Sequence, residues 1–338
     1  MPVDIEPVGT RTTRPRTISG QHGRPATIRI GLINNMPDTA LHATEAQFAG
    51  LLEGASGGGP VTLRFSSLPE LARGPEAAEH IRSGYWPLAD LLADGLDALI
   101  VTGTEPRSPV LSEEPYWGRL RELLAWARQH TVTSVWSCLA AHAAVELMDG
   151  VRRQRLPEKR CGVYQHDLTS EHALLAGVAA PLPMPHSRWN ELPVASLERA
   201  GYTILSASPV SGADAFIAER GSLLLFFQGH PEYQDTTLLR EYRRDVGRYL
   251  SGQQPHYPTL PHGYLSAEAS ARLEAFKAQA LARRDASLSE QFPFAAVSAT
   301  LANTWRAGAL AIYGNWLDLI SARRAPGAPA GALSLTDS

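Results

Sequence analysis

The chain has 338 residues, 44% hydrophobic and 19% charged, with 31 Lys and Arg against 34 Asp and Glu for a formal net charge of -3. This is the composition of a globular protein with ample core material, enough for one large α/β domain with additions or for two domains. The acidic balance excludes a protein dominated by polyanion binding, so no nucleic-acid partner is expected. No stretch approaches the roughly 18 apolar residues that span a bilayer, and the amino-terminal segment lacks the apolar core of a signal peptide. A cytoplasmic protein without a membrane partner is expected, and two cysteines are too few for a disulfide scaffold.

Residues 1–26, rich in Arg, Thr, Pro and Gly without periodicity, read as a flexible tail. A β-branched run over 26–35 predicts a strand that ends at Asn-Asn-Met-Pro, and the spacing of Ala43, Phe48, Leu51 and Leu52 predicts a helix after it. Strands follow over 61–68 and 98–104, the latter ending in a loop with Gly103. An amphipathic helix is expected over 114–130, then a buried strand from residue 133 that runs directly into a helix of small residues ending near 150. Further strands are expected over 201–208, 215–220 and 222–233, and a helix over 236–250. After a Pro-rich break, two helical stretches over 266–284 and 296–322 precede an Ala/Gly/Pro/Ser tail. Strands alternating with helices predict an α/β fold with a mostly parallel sheet and helices on both faces, whose chemistry collects at the carboxyl ends of the strands. The expected domain organisation is a tail over 1–26, a main domain over 27–252, a helical extension over 253–323 that reads as an appendage, and a second tail over 324–338.

Cys138 lies where the apolar strand stops and the small-residue helix starts, the sequence form of a nucleophile elbow. A thiol there meets the free N-H groups and dipole of a helix N-terminus, which favour the thiolate and can hold an oxyanion. Its neighbours Ser137 and Leu139 are bulkier than the glycines of sharper elbows. Cys161 lacks that context and reads as structural. A base is offered by His230 after the run LLLFFQ, with Glu232 two residues on across Pro231; the extended backbone that proline favours lets the two side chains share a side. Cys138, His230 and Glu232 would form a triad by the logic of Ser, His, Asp. His42, His142, His166 and His186 have no comparable pairing. No metal site is expected, because neither HExxH nor CxxC spacing occurs. A carboxylate or phosphate substrate would need side chains, with Lys159, Arg188, Arg243 and Arg244 as candidates.

Six motifs in order, INNMP followed by TEAQF, VTGTEP then EPYW, WSCLAAHAA, EKRCGVYQH, MPHSRW, and GHPEY followed by YRRDV, resemble the homoserine O-acyltransferases of the MetA family, relatives of the class I glutamine amidotransferases. The match runs from about residue 28 to residue 250. The resemblance implies a class I glutamine amidotransferase-like, flavodoxin-like sheet. It also implies Cys138 as the nucleophile that carries an acyl thioester, His230 as proton acceptor and Glu232 as its partner. Lys159, Ser187 and Arg244 match the family's substrate-binding Lys, Ser and Arg. Arg107 stands at the loop position that influences the acyl donor, where succinyl users have glycine and acetyl users glutamate; a cation there favours the free carboxylate of succinyl-CoA. In familiar members Met-Pro is followed by a pair of lysines, whereas here DTALHA follows, two residues longer and without lysine.

The expected reaction is ping-pong succinyl transfer from succinyl-CoA, a co-substrate, to L-homoserine in methionine biosynthesis, with no cofactor. Backbone N-H groups of Leu139 and Gly103 are the expected oxyanion donors. Acetyl-CoA as donor and serine as acceptor are the near alternatives; glutamine amidotransfer and a non-catalytic binding protein are the distant ones. The two carboxyl-terminal helices could serve as a homodimer interface.

Overall fold

The computed structural model describes residues 3–8 and 27–324. The tail expectations at 9–26 and 325–338 lie outside the described residues. The chain order is β1 (Asp4–Ile5), β2 (Ile28–Ile33), α1 (Leu41–Ala55), β3 (Val61–Ser66), α2 (Pro75–Gly84), α3 (Leu88–Ala93), β4 (Ala98–Val101), α4 (Trp117–His130), β5 (Thr133–Ser137) and α5 (Leu139–Asp149). There follow β6 (Gln154–Leu168), β7 (Leu182–Glu191), α6 (Val194–Arg199), β8 (Thr203–Ile204), β9 (Ser206–Ser208), β10 (Gly212–Ala213), β11 (Ala215–Glu219) and β12 (Leu223–Phe227). Helices α7 (Thr237–Leu250), α8 (Ala267–Ala282), α9 (Phe294–Ser298) and α10 (Arg306–Arg324) complete it.

Eight strands form the main sheet in the order β1-β3-β2-β4-β5-β12-β11-β8. Neighbours from β1 to β12 run parallel, and β11 and β8 are antiparallel. The central strands β4 (ALIV) and β12 (LLLFF) are buried along their whole length, as strands covered on both faces must be. Helices α4 and α5 cover one face, placing Leu120, Leu124, Ala141 and Ala144 against Val101 and Trp136. Helices α1 and α10 cover the other with Phe48, Leu52, Ile312 and Trp316. Among the described residues no helix is long and apolar enough to cross a membrane.

Three regions differ from the sequence expectation. Residues Asp4–Ile5 pair with Thr62 and Leu63 as an edge strand rather than belonging to a tail. The hairpin β6–β7, extended by β9 and β10 into a second, antiparallel sheet, was not expected, because Pro157, Pro183 and Pro185 are turn signals; the pairing absorbs Pro157 in a register shift between Arg155 and Arg160. The carboxyl-terminal extension also divides. Helices α8 and α9 pack against α7, but α10 is part of the main core: Trp316 is fully buried and its indole N-H donates to Thr133 Oγ1 of β5 at 3.1 Å. Its apolar stripe covers a sheet face that would otherwise be wet.

Candidate active site

Strand β5 delivers its last residue, Ser137, beside Phe227 at the end of β12. The chain must then turn into α5 within one residue. Cys138 takes up that turn with φ 52° and ψ -114°, and among the described residues it is the one non-glycine with positive φ. Such a backbone costs on the order of 1–3 kcal/mol and holds only where the surroundings over-determine it. Here the Cys138 N-H donates to Phe227 O at 2.7 Å, and its carbonyl accepts from His142 N at 3.2 Å. The sulfur side remains half-buried, facing a cavity of about 220 Å³.

The turn after β12 brings the imidazole to that cavity. Gly229 is required there: a Cβ would stand 2.5 Å from Asp214 Oδ1 and 2.6 Å from Met184 Cγ. The following His230 N-H donates to Pro185 O of β7 at 2.9 Å, so the hairpin the sequence hid is what fixes the turn. His230 Nδ1 donates to Glu232 Oε1 at 2.8 Å, with both residues buried. On its cavity side His230 shares the lining with Cys138. Burial alone would pull the imidazole pKa down, but the Glu232 carboxylate and the Cys138 sulfur outweigh it and hold the value well above the usual 6.5. The Tyr233 ring stacks on the imidazole at 4.2 Å. From the chain's far end, Trp305 Nε1 and Asn303 Nδ2 donate to Tyr233 O at 2.8 and 3.3 Å.

Gly103 packs onto the start of α5, where a Cβ would lie 3.0 Å from Leu139 N and 2.9 Å from Leu139 Cβ. As the first residue of α5, Leu139 has an N-H with no partner inside the helix. Both residues line the Cys138 cavity.

Lys159, Ser187 and Arg244 line the same cavity, joined by two carboxylates that sequence reading passed over. Glu241 Oε1 accepts from Tyr233 Oη at 2.6 Å, and its other oxygen accepts from Ser187 Oγ. Lys159 Nζ donates to Asp245 Oδ2 at 2.6 Å and lies 3.8 Å from Glu241, while Arg244 Nη2 pairs with Asp245 Oδ1 at 3.1 Å. Burial opposes the charge on Glu241, yet Lys159 and Arg244 hold its carboxyl below the ordinary value. Burial likewise opposes the ammonium of Lys159, and Glu241, Cys161 and Asp245 keep its pKa raised. The signal in the sequence was the i, i+4 spacing of Glu241 and Asp245, with Arg244 alongside, which places them on neighbouring positions of α7.

Other candidates lie elsewhere. Arg107 is exposed and borders an adjoining cavity of about 360 Å³ rather than the one at Cys138; its N-H donates to Glu114 Oε1 at 2.6 Å. Arg188 is buried and spent on Asn190 O and Ser211 O. Cys161 is buried within β6, and burial pushes its thiol up to about 12. His142, buried on α5, donates to Gln228 Oε1 at 3.0 Å, and burial pulls it down to about 3. His42 and His80 meet at Glu45 on α1 and α2, where Tyr85 Oη also donates to Glu45 Oε1 at 2.6 Å; these groups do not line the Cys138 cavity. Against the lysine-free loop, the Arg73 guanidinium donates to Met36 O at 2.6 Å and Asp38 Oδ1 at 3.2 Å.

A cysteine at a strained strand-to-helix corner, sharing a cavity with an imidazole and carboxylate at the carboxyl ends of a parallel sheet, is the arrangement nucleophilic catalysis uses in α/β folds. Among solved structures the fold is similar to a glutamine amidotransferase from Methylobacillus flagellatus, with TM-score 0.46 and 16% identity over 88% of this chain and 96% of that one. A glutamine amidotransferase from Thermotoga maritima gives TM-score 0.45 and 11% identity over 87% and 98%. The sequence is more specific. The family model for homoserine O-succinyltransferase matches residues 12–326. The homoserine O-succinyltransferase of Rhodopseudomonas palustris is 43% identical over 92% of this chain and 95% of its own length, and that of Methylorubrum extorquens 45% over 88% of each. The chain belongs to the homoserine O-succinyltransferase family and is an acyltransferase.

Proposed function

We propose that the protein transfers a succinyl group from succinyl-CoA to the γ-hydroxyl of L-homoserine through an acyl-enzyme on Cys138, a committed step toward methionine. The observation that carries this reading is the strained Cys138 corner in one cavity with the His230–Glu232 pair, inside a member of this family.

The raised pKa of His230 favours an imidazolium beside the sulfur. The Cys138 thiolate attacks the thioester carbonyl, whose oxygen takes the new negative charge within reach of the Leu139 and Gly103 N-H groups. The C–S bond to CoA then breaks, and His230 gives its proton to the departing thiolate. Homoserine enters the vacated space. Arg244 and Lys159 suit its carboxylate, and Glu241, held ionised, suits its ammonium, with Ser187 between them. His230 takes the γ-hydroxyl proton, the oxygen attacks the acyl-enzyme carbonyl, and the Cys138 thiolate leaves. Atoms and charge balance without a redox partner.

Mass spectrometry after brief exposure to succinyl-CoA without acceptor tests the reading. A succinyl adduct on the peptide bearing Cys138 is expected, and its absence, or its persistence in Cys138→Ala, would overturn it. Running acetyl-CoA in parallel reads donor choice. Arg107 is proposed as the residue that sets this choice through the charge of its guanidinium. Arg107→Glu is expected to shift the ratio of kcat/KM values toward acetyl-CoA by roughly tenfold, and unchanged selectivity would remove Arg107 from the reading.

A further inference from the structure

Beside the Cys138 cavity, α7 and the segment around α9 enclose a second cleft of about 730 Å³, within the range of small-molecule sites. Arg240, Arg243 and Arg244 line it from α7, and Phe292 and Phe294 line it from the other side. No carboxylate lines it. Arg244 also borders the Cys138 cavity, so the two spaces meet at one side chain. Arg244 is paired with Asp245, and Arg248 on the same helix with Glu105 at 3.1 Å. Among the described residues Arg240 and Arg243 have no carboxylate partner; Arg243 lies over the Phe294 ring at 5.7 Å. Two guanidiniums without counter-charge, next to aromatic faces, are suited to phosphates attached to a purine.

We infer that this cleft is the subsite for the phosphorylated adenosine diphosphate end of the acyl donor, with Arg240 and Arg243 on its phosphates and the Phe292–Phe294 wall against its base. The inference rests on the succinyl-CoA reading above. The donor's reacting thioester is small, whereas its nucleotide carries most of the charge and the aromatic surface and takes no part in the chemistry. Binding at a distance from the thiol is what anchors such a substrate for the reacting centre. The other spaces do not fit. The cavity beside Arg107 is lined by four carboxylates, Asp38, Glu70, Glu105 and Glu114, against two guanidiniums, Arg73 and Arg107, a net negative wall that disfavours a multiply charged phosphate group. The apolar groove around Trp86 and Trp126 shares no lining residue with the Cys138 cavity.

The test compares succinyl-CoA with the succinyl thioester of N-acetylcysteamine, a donor that has the reacting group and no nucleotide. In the double variant Arg240→Glu, Arg243→Glu, the KM for succinyl-CoA is expected to rise at least about tenfold, and inhibition by adenosine bisphosphate should weaken in parallel. The kinetics with the short thioester should stay within about twofold of wild type, which also reports that the variant is folded. A KM that rises equally for both donors, or for neither, overturns the subsite while leaving the reaction in place. A wild-type protein that uses neither donor removes the reading itself, and the subsite with it.

Discussion

The two cysteines stand in opposite surroundings, although Cys138 lines the cavity and Cys161 is only two residues from Lys159, which also does. Cys138 ends a parallel strand in a backbone conformation that other side chains avoid, half-exposed, in one cavity with an imidazole. Cys161 sits in the regular run of β6, opposite Ser187, buried, with its thiol pushed up to about 12. The side chains are identical, so the difference lies wholly in placement. A corner exposes the sulfur to a helix N-terminus and a base, while a ladder position removes it from water and from both.

Substitutions at the two sites should therefore diverge, and the widest effect belongs to the corner. Cys138→Ala is expected to lower acyl transfer at least about a thousandfold in steady-state assays; substantial residual turnover would show that the corner is not what makes a thiol reactive here.

An intermediate effect is expected one step back from the sulfur. Glu232→Gln should reduce kcat on the order of a hundredfold, and the direction of its pH dependence follows from the raised His230 pKa. Without the carboxylate the imidazolium is lost at lower pH, so the alkaline limb of the kcat profile should move to lower pH. The stability that the pair contributes is fully present below the unfolded histidine value of about 6.5 and lost as pH rises through the raised native value. The melting-temperature gap between wild type and variant should accordingly be widest on the acid side and close as pH rises. A gap that widens with pH would contradict the imidazolium assignment.

The smallest effect belongs to the ladder position. Cys161→Ala should leave kcat within about twofold and cost on the order of 1 kcal/mol of stability by denaturant titration, and a large loss of kcat would erase the contrast between the two sites.

The α/β framework was legible because β4 and β12 are unbroken apolar runs and the helices between the strands carry clear stripes. That Cys138, His230 and Glu232 could meet was legible for a related reason, since each follows the carboxyl end of a buried strand, and the structure gathers them at one cavity. The hairpin was hidden by its prolines, and with it the carbonyl of Pro185 that fixes His230. Glu241 and Asp245 were read past because a charged helix face looks solvated in sequence. Only the approach of Lys159 and Ser187 from β6 and β7 shows that this face is enclosed. Helix α10 looked like an appendage because nothing local in it reveals that Trp316 reaches Thr133, more than half the chain away.

The hold of Asn303 and Trp305 on the backbone oxygen of Tyr233 bears on when the enzyme becomes competent during its synthesis. Cys138 leaves the ribosome before His230, and the turn that carries His230 is held first by Pro185 and later also, through Tyr233, by Asn303 and Trp305. A growing polypeptide thus presents the sulfur before the imidazole, and the full set of contacts around the His230 turn forms only once residues 303–305 have been made.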